Sequence, residues 1–209
     1  MGMYTADVAY NLVFYQRDAA FESFSAAKLV ANELGFGDIY VDNLIARYEE
    51  EDFSIDSMLI QFEKGLARLN LGNTNTDRIR IILGFVAGNY IQKQYQIHSI
   101  IQSYKNKDIT DDLRLLLAKE FVIVALHQQE ALDVLLLEIE KNQYADDPGY
   151  FLEEFHKLRA IYENLIPLKD NIDDLTPQDI FQSLYFDELY LQIKTMRTSL
   201  ASHIDKEFF

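Results

Sequence analysis

The sequence has no cysteine and no tryptophan, and only three prolines and eight glycines in 209 residues. Without thiols there is no disulfide framework, no thiolate metal site, no iron-sulfur cluster and no cysteine nucleophile. The scarcity of helix breakers leaves room for long helices. Long apolar runs are missing too: the greasiest stretch, Phe121 to Leu126, lies between Lys119-Glu120 and the polar run His127 to Glu130. A bilayer-spanning helix needs about 20 apolar residues, so no transmembrane segment is expected. Basic residues are in deficit, 19 against 34 acidic ones, for a formal charge of −15. That surface repels phosphate backbones, and no nucleic-acid partner is expected.

What the sequence does have is apolar helical periodicity. Apolar residues make up 49% of the chain, with 14 Phe and 13 Tyr. At this length folding buries about 70% of the surface an unfolded chain exposes, so a substantial core is within reach. Sustained period-2 alternation is absent, whereas the 3.6-residue period runs almost throughout. The predicted fold is all-α: an irregular up-and-down bundle of seven to eight antiparallel helices, forming a single helical domain over residues 1–209.

Helices are predicted from Gly2 to Tyr15, from Asp18 to Leu34 with Gly35 as a left-handed C-cap, from Asp38 to Arg47, and from Asp52 or Ser54 to Leu71. Two longer ones follow, Asp77 to Tyr104 and Thr110 to Lys141, the second with a bend near His127. The strongest start signals are Asp147-Pro148 and Thr176-Pro177, each a capping residue before a proline suited to the first helical position. Asp179 completes an approximate capping box with Thr176. These helices should run to about Ile166 and about His203, linked by the acidic stretch Lys169 to Asp174. Apolar periodicity begins at the first residues with no capping residue ahead of it, so a preceding segment, and an apolar side of the first helix left bare without it, are expected.

Small residues mark two of these helices. Gly2, Ala6, Ala9 and Val13 share one face, and Gly84, Gly88, Ile91 and Tyr95 share another. An interior glycine costs roughly 1 kcal/mol relative to alanine, so the pattern calls for a close helix crossing or, second, a ligand cleft. Overpacking at such a crossing should cost Gly88→Leu more than about 2 kcal/mol. Asp7 and Asn11, four apart, read as a solvated polar stripe first and an internal polar network second.

Glu153-x-x-His156 has the spacing that places two metal ligands on one helix face in dinuclear carboxylate bundles. A second copy is missing, and His127-x-x-Glu130 has the order reversed, so these residues read first as surface. There is no Gly-x-Ser-x-Gly elbow and no phosphate-binding loop, and Ile172 breaks any calcium-loop reading of Asp170 to Asp174. No catalytic residue, metal ligand or cofactor is assigned.

The segment Gly2-Met3-Tyr4-Thr5-Ala6-Asp7-Val8-Ala9-Tyr10 resembles the Gly-x-Tyr-x-Ala-Asp-x-x-Tyr signature of an uncharacterised all-helical family of Bacteroidota envelope proteins, often lipoproteins. A looser second signature, Ala-Gly-Gly-Trp-Ile-Glu in the family, is matched by Ala87-Gly88-Asn89-Tyr90-Ile91-Gln92, with Tyr90 replacing Trp and Gln92 replacing Glu. The resemblance implies a periplasmic or outer-membrane-anchored location, with the cytoplasm as the alternative, and a further segment before residue 1. It implies no activity.

The function expected is therefore a non-enzymatic helical binding or interaction module of the bacterial cell envelope. Its partner would be a protein or a small-molecule ligand, and a homo-oligomer is among the expected states. A cleft between the two glycine helices would be lined by Tyr4, Asp7, Tyr10, Tyr90, Gln92 and Tyr95, since tyrosine offers a large apolar ring with a polar tip. The alternative is a metal-dependent helical-bundle enzyme or metal-binding protein using Glu153, His156, His127 and Glu130.

Overall fold

The computed structural model describes residues 1–35, 76–105, 107–141, 150–171 and 174–207. Among these the protein is all-α, with eight helices and no strand: α1 (Gly2–Val13), α2 (Arg17–Glu33), α3 (Thr76–Lys105), α4 (Asp111–Lys141), α5 (Tyr150–Asn164), α6 (Ile166–Asp170), α7 (Pro177–Phe181) and α8 (Leu184–Glu207). The helices expected over 38–47 and 52–71, and the Asp147-Pro148 start, lie outside the described residues. The chain divides into two units, Met1–Gln92 and Lys93–Phe209, with the boundary inside α3.

In the first unit α1 packs along α2. Alanines make this possible: Ala20, Ala27 and Ala31, with Phe24 among them, form the buried ridge of α2, and Ala6, Val8 and Leu12 are the buried apolar residues of α1. Only Phe14, Tyr15 and Gln16 join the two helices. At the far end of α2, Gly35 adopts φ +75°, the left-handed C-cap its position predicts.

In the second unit α5 packs on α4 and on α8, while α6 and α7 also pack on α4. The core follows helical spacing: Phe155, Leu158 and Tyr162 on α5, and Phe186, Leu189, Ile193 and Met196 on α8, are all buried. Thr176 caps α7 as predicted. Its hydroxyl accepts the Asp179 backbone N–H at 3.3 Å, and the Thr176 N–H donates to the Asp179 carboxylate at 2.8 Å, so the box closes with Asp in place of Glu. The Thr176 hydroxyl, which also donates to the Asp179 carboxylate, holds that carboxyl below its ordinary range first, and the Thr176 N–H does so second.

One expected helix is broken in two, and another ends near its expected place. The helix expected to run to about Ile166 stops at Asn164, and a short further helix, α6, follows it. Pro167 has no N–H for the Glu163 carbonyl and its ring would crowd that oxygen, so the path turns at Leu165. The helix expected from Pro177 to His203 ends at Phe181 and restarts at Leu184. Ser183, a preferred N-cap residue, immediately precedes this second start, and its carbonyl accepts the Asp187 N–H at 3.3 Å.

Candidate functional site

The first unit brings the two signature segments together. A Cβ on Gly2 would overlap the Phe85 carbonyl oxygen and lie 2.8 Å from the Asn89 nitrogen, so α1 and α3 meet there backbone to backbone. On the opposing helix Gly88 is the matching residue, where a Cβ would lie 3.5 Å from the Met3 nitrogen and 3.8 Å from the Gly2 Cα. Gly84 is not part of the crossing, since a Cβ there meets nothing within 4 Å and the residue is exposed. The spacing of the glycines thus serves close packing at Gly2 and Gly88.

Polar bonds span the same crossing. Asn89 donates its side-chain amide to the Gly2 carbonyl at 3.4 Å, and buried Gln92 donates to the half-buried Asp7 carboxylate at 2.6 Å. Asp7 therefore belongs to an internal polar network, the second of the two readings its sequence position allowed. Gln92 fits as an amide donor to a carboxylate, where a glutamate would oppose like charge at hydrogen-bond distance.

The other four residues expected to line a cleft lie in varied settings. Tyr90 is buried at 7% exposure, while Tyr4 is on the surface at 38%. Half-buried Tyr10 packs its ring on Phe14 with centroids 4.6 Å apart. Tyr95 belongs to the second unit, stacked on Tyr190 at 6.1 Å with the Arg197 guanidinium 4.5 Å over its ring.

The end of α1 was not foreseen. Tyr15 has φ +56°, the left-handed region that favours glycine. Two bonds define why: Tyr15 N–H donates to the Leu12 carbonyl at 3.0 Å and Gln16 N–H to the Asn11 carbonyl at 2.7 Å. This is a complete Schellman termination with tyrosine where glycine usually sits. The side chain is 83% exposed, beside Phe14 at 44% and Val13 at 61%.

In the second unit α3 carries a polar row that sequence reasoning also passed over: Gln94, His98 and Gln102, four residues apart. The Tyr162 hydroxyl donates to the Gln94 Oε1 at 3.0 Å, and Gln102 donates to Asp187 at 3.0 Å, beside the Lys105–Asp187 ion pair at 2.8 Å. His98 is 1% exposed and packs near Phe186, and burial pushes its imidazole down to about 3, so it stays neutral. Its Nε2, the Gln94 Nε2 and the Ser99 hydroxyl are enclosed with no hydrogen-bond partner among the described residues. Glu154, 8% exposed on α5, accepts Lys157 at 2.8 Å and Gln192 of α8 at 2.6 Å. The Lys157 bond first and the Gln192 bond second hold its carboxyl below the ordinary range.

A search of family models, of curated proteins and of solved structures finds no match for this chain. Three of the four candidate metal residues have other partners: Glu153 pairs with Lys157 at 2.8 Å, Glu130 with Lys169 at 3.3 Å, and His156 lies 3.2 Å from Glu140. Among the described residues no three His, Asp or Glu are grouped so as to hold a metal ion.

Proposed function

We propose that the chain is a non-enzymatic helical module of the bacterial cell envelope that binds a partner protein through the aromatic end of α1. The observation that carries this reading is Tyr15, a bulky aromatic kept in a glycine conformation and presented to solvent. A left-handed non-glycine residue costs of order 1 kcal/mol or more, and such strain gathers where a side chain must be aimed. Phe14 and Val13 widen the apolar surface, and exposed Gln16, Arg17 and Asp18 give it a polar edge, the arrangement found around protein-binding hot spots. The envelope location rests on the resemblance carried by Gly2 to Tyr10.

Tyr15→Gly separates strain from binding. It should stabilise the chain by about 0.5–1 kcal/mol in urea denaturation, because glycine adopts the left-handed turn freely. A photo-reactive phenylalanine at Phe14, expressed in the source organism, should give one discrete protein adduct, lost when Tyr15→Gly is added. The same probe at exposed Glu22 on α2 should give none. A destabilised Tyr15→Gly variant would remove the strain argument. Adducts equal at Phe14 and Glu22, or unchanged by Tyr15→Gly, would remove the binding surface.

A further inference from the structure

The polar row of α3 leaves two neighbouring groups in the interior of the second unit that no donor or acceptor among the described residues satisfies. Gln94 is 0% exposed and His98 1%. They lie four residues apart and share one face of the helix. The Tyr162 hydroxyl of α5 donates to the Gln94 Oε1 at 3.0 Å, which fixes the way that amide points and leaves its Nε2 as the open end. The His98 ring lies against Phe186 of α8, with centroids 6.3 Å apart, and its Nε2 is open as well. A buried polar atom without a partner is rare, because it gives up its hydrogen bond to bulk water and gains nothing in return. Two of them on adjacent turns of one face point to one shared partner. The Ser99 hydroxyl is enclosed too, but a helix turns about 100° per residue, which takes Ser99 off that face.

We infer that Gln94 and His98 hold one buried water molecule between them. Residues four apart rise about 6 Å along a helix. Two hydrogen bonds through one water oxygen span about 5.5–6 Å, whereas a direct bond spans only about 3 Å. A direct Gln94–His98 bond would need one side chain to lean across that gap, and each is engaged by another helix, through Tyr162 or Phe186. The occupant is neutral because its two partners are: an amide carries no charge, and burial keeps the imidazole unprotonated.

The proton inventory then sets the direction of each bond. Gln94 Nε2 can only donate, so the water accepts from it. Were His98 Nε2 to carry a proton as well, the water would accept twice, and neither group would be left to receive its own two hydrogens. The water therefore donates to His98 Nε2, and the ring carries its proton on Nδ1.

Nuclear magnetic resonance of the full chain at neutral pH tests this. The sequence has four histidines, and the signals missing from His98→Leu identify the His98 ring. Long-range proton–nitrogen spectra should show that ring neutral, with its proton on Nδ1. The carbon-bound hydrogens on either side of Nε2 do not exchange, so they should give cross-peaks to water with the sign of a held molecule rather than a passing one. Gln94→Met, close in shape but without the amide, should keep the helical circular dichroism and lose those cross-peaks. A ring protonated on Nε2, a parent protein with no water cross-peak to the ring, or cross-peaks unchanged in Gln94→Met would each overturn the inference. The first two are read on the parent protein, so they decide the matter even where Gln94→Met does not fold.

Discussion

Between pH 7.5 and pH 4.5 the chain should lose about 2–3 kcal/mol of folding stability that a His98→Leu variant keeps. The folded imidazole titrates at about 3 against an ordinary 6.5, through burial alone. Below pH 6.5 the unfolded chain takes up a proton that the folded chain refuses, so unfolding gains free energy as pH falls. The contribution is fully present above pH 6.5 and drains away as pH falls toward 3, at about 1.4 kcal/mol per pH unit. The Glu154 carboxyl, also held low, acts in a separate window, because its contribution is intact above the ordinary carboxyl value of 4.5 and is lost only below it. At neutral pH His98→Leu should be close to neutral or stabilising, since it removes an enclosed ring nitrogen with no partner among the described residues. Denaturant midpoints at pH 7.5, 6, 5 and 4.5 decide the matter. Parallel losses in the two proteins would show that His98 is not the group being titrated.

Gly2→Ala should destabilise the first unit by about 3 kcal/mol, although alanine is the better helix former by roughly 1 kcal/mol. Its methyl group would occupy the position of the Phe85 carbonyl oxygen, and backbone on both sides leaves no flexible side chain to yield. Relief requires α1 to lift from α3, which would break the Asn89–Gly2 and Gln92–Asp7 bonds. Gly88→Ala is the control. A Cβ there meets neighbours at 3.5–3.8 Å, ordinary contact distance, so it should be neutral or slightly stabilising. Gly88→Leu remains expected to lose more than about 2 kcal/mol, because its longer side chain must displace Met3. Thermal melts of the three variants rank them, and a Gly2→Ala variant as stable as the parent would mean the helices do not meet there.

Much of this architecture was legible in local chemistry. The Thr176–Asp179 box and the Gly35 cap are decided by a few adjacent residues, so both could be read directly. Gly2 and Gly88 were legible as packing residues because glycine inside a helix is costly without a reason. Which glycine is tight and which is bare depends on the rotation of two helices far apart in sequence, and that no single-helix wheel supplies. The settings of the tyrosines were not legible for the same reason: an amphipathic ring suits a cleft, a core and a surface equally, and Tyr90, Tyr4 and Tyr95 lie in different settings. Tyr15 was invisible because nothing in tyrosine announces a left-handed turn. The row Gln94, His98, Gln102 was legible as a spacing, but its burial is decided by α5 and α8.

The three-residue link between α1 and α2 also bears on the order of assembly. Bringing those helices together closes almost no loop, whereas the Gln92–Asp7 bond joins residues 85 apart. Loop-closure entropy grows with the logarithm of length, which puts roughly 3 kcal/mol between the two events. The α1–α2 hairpin is thus the contact that forms early and locally, and the glycine crossing with α3 is made late, against a chain already partly condensed. A defect at Gly2 should then appear mainly as faster unfolding, with the folding rate little changed.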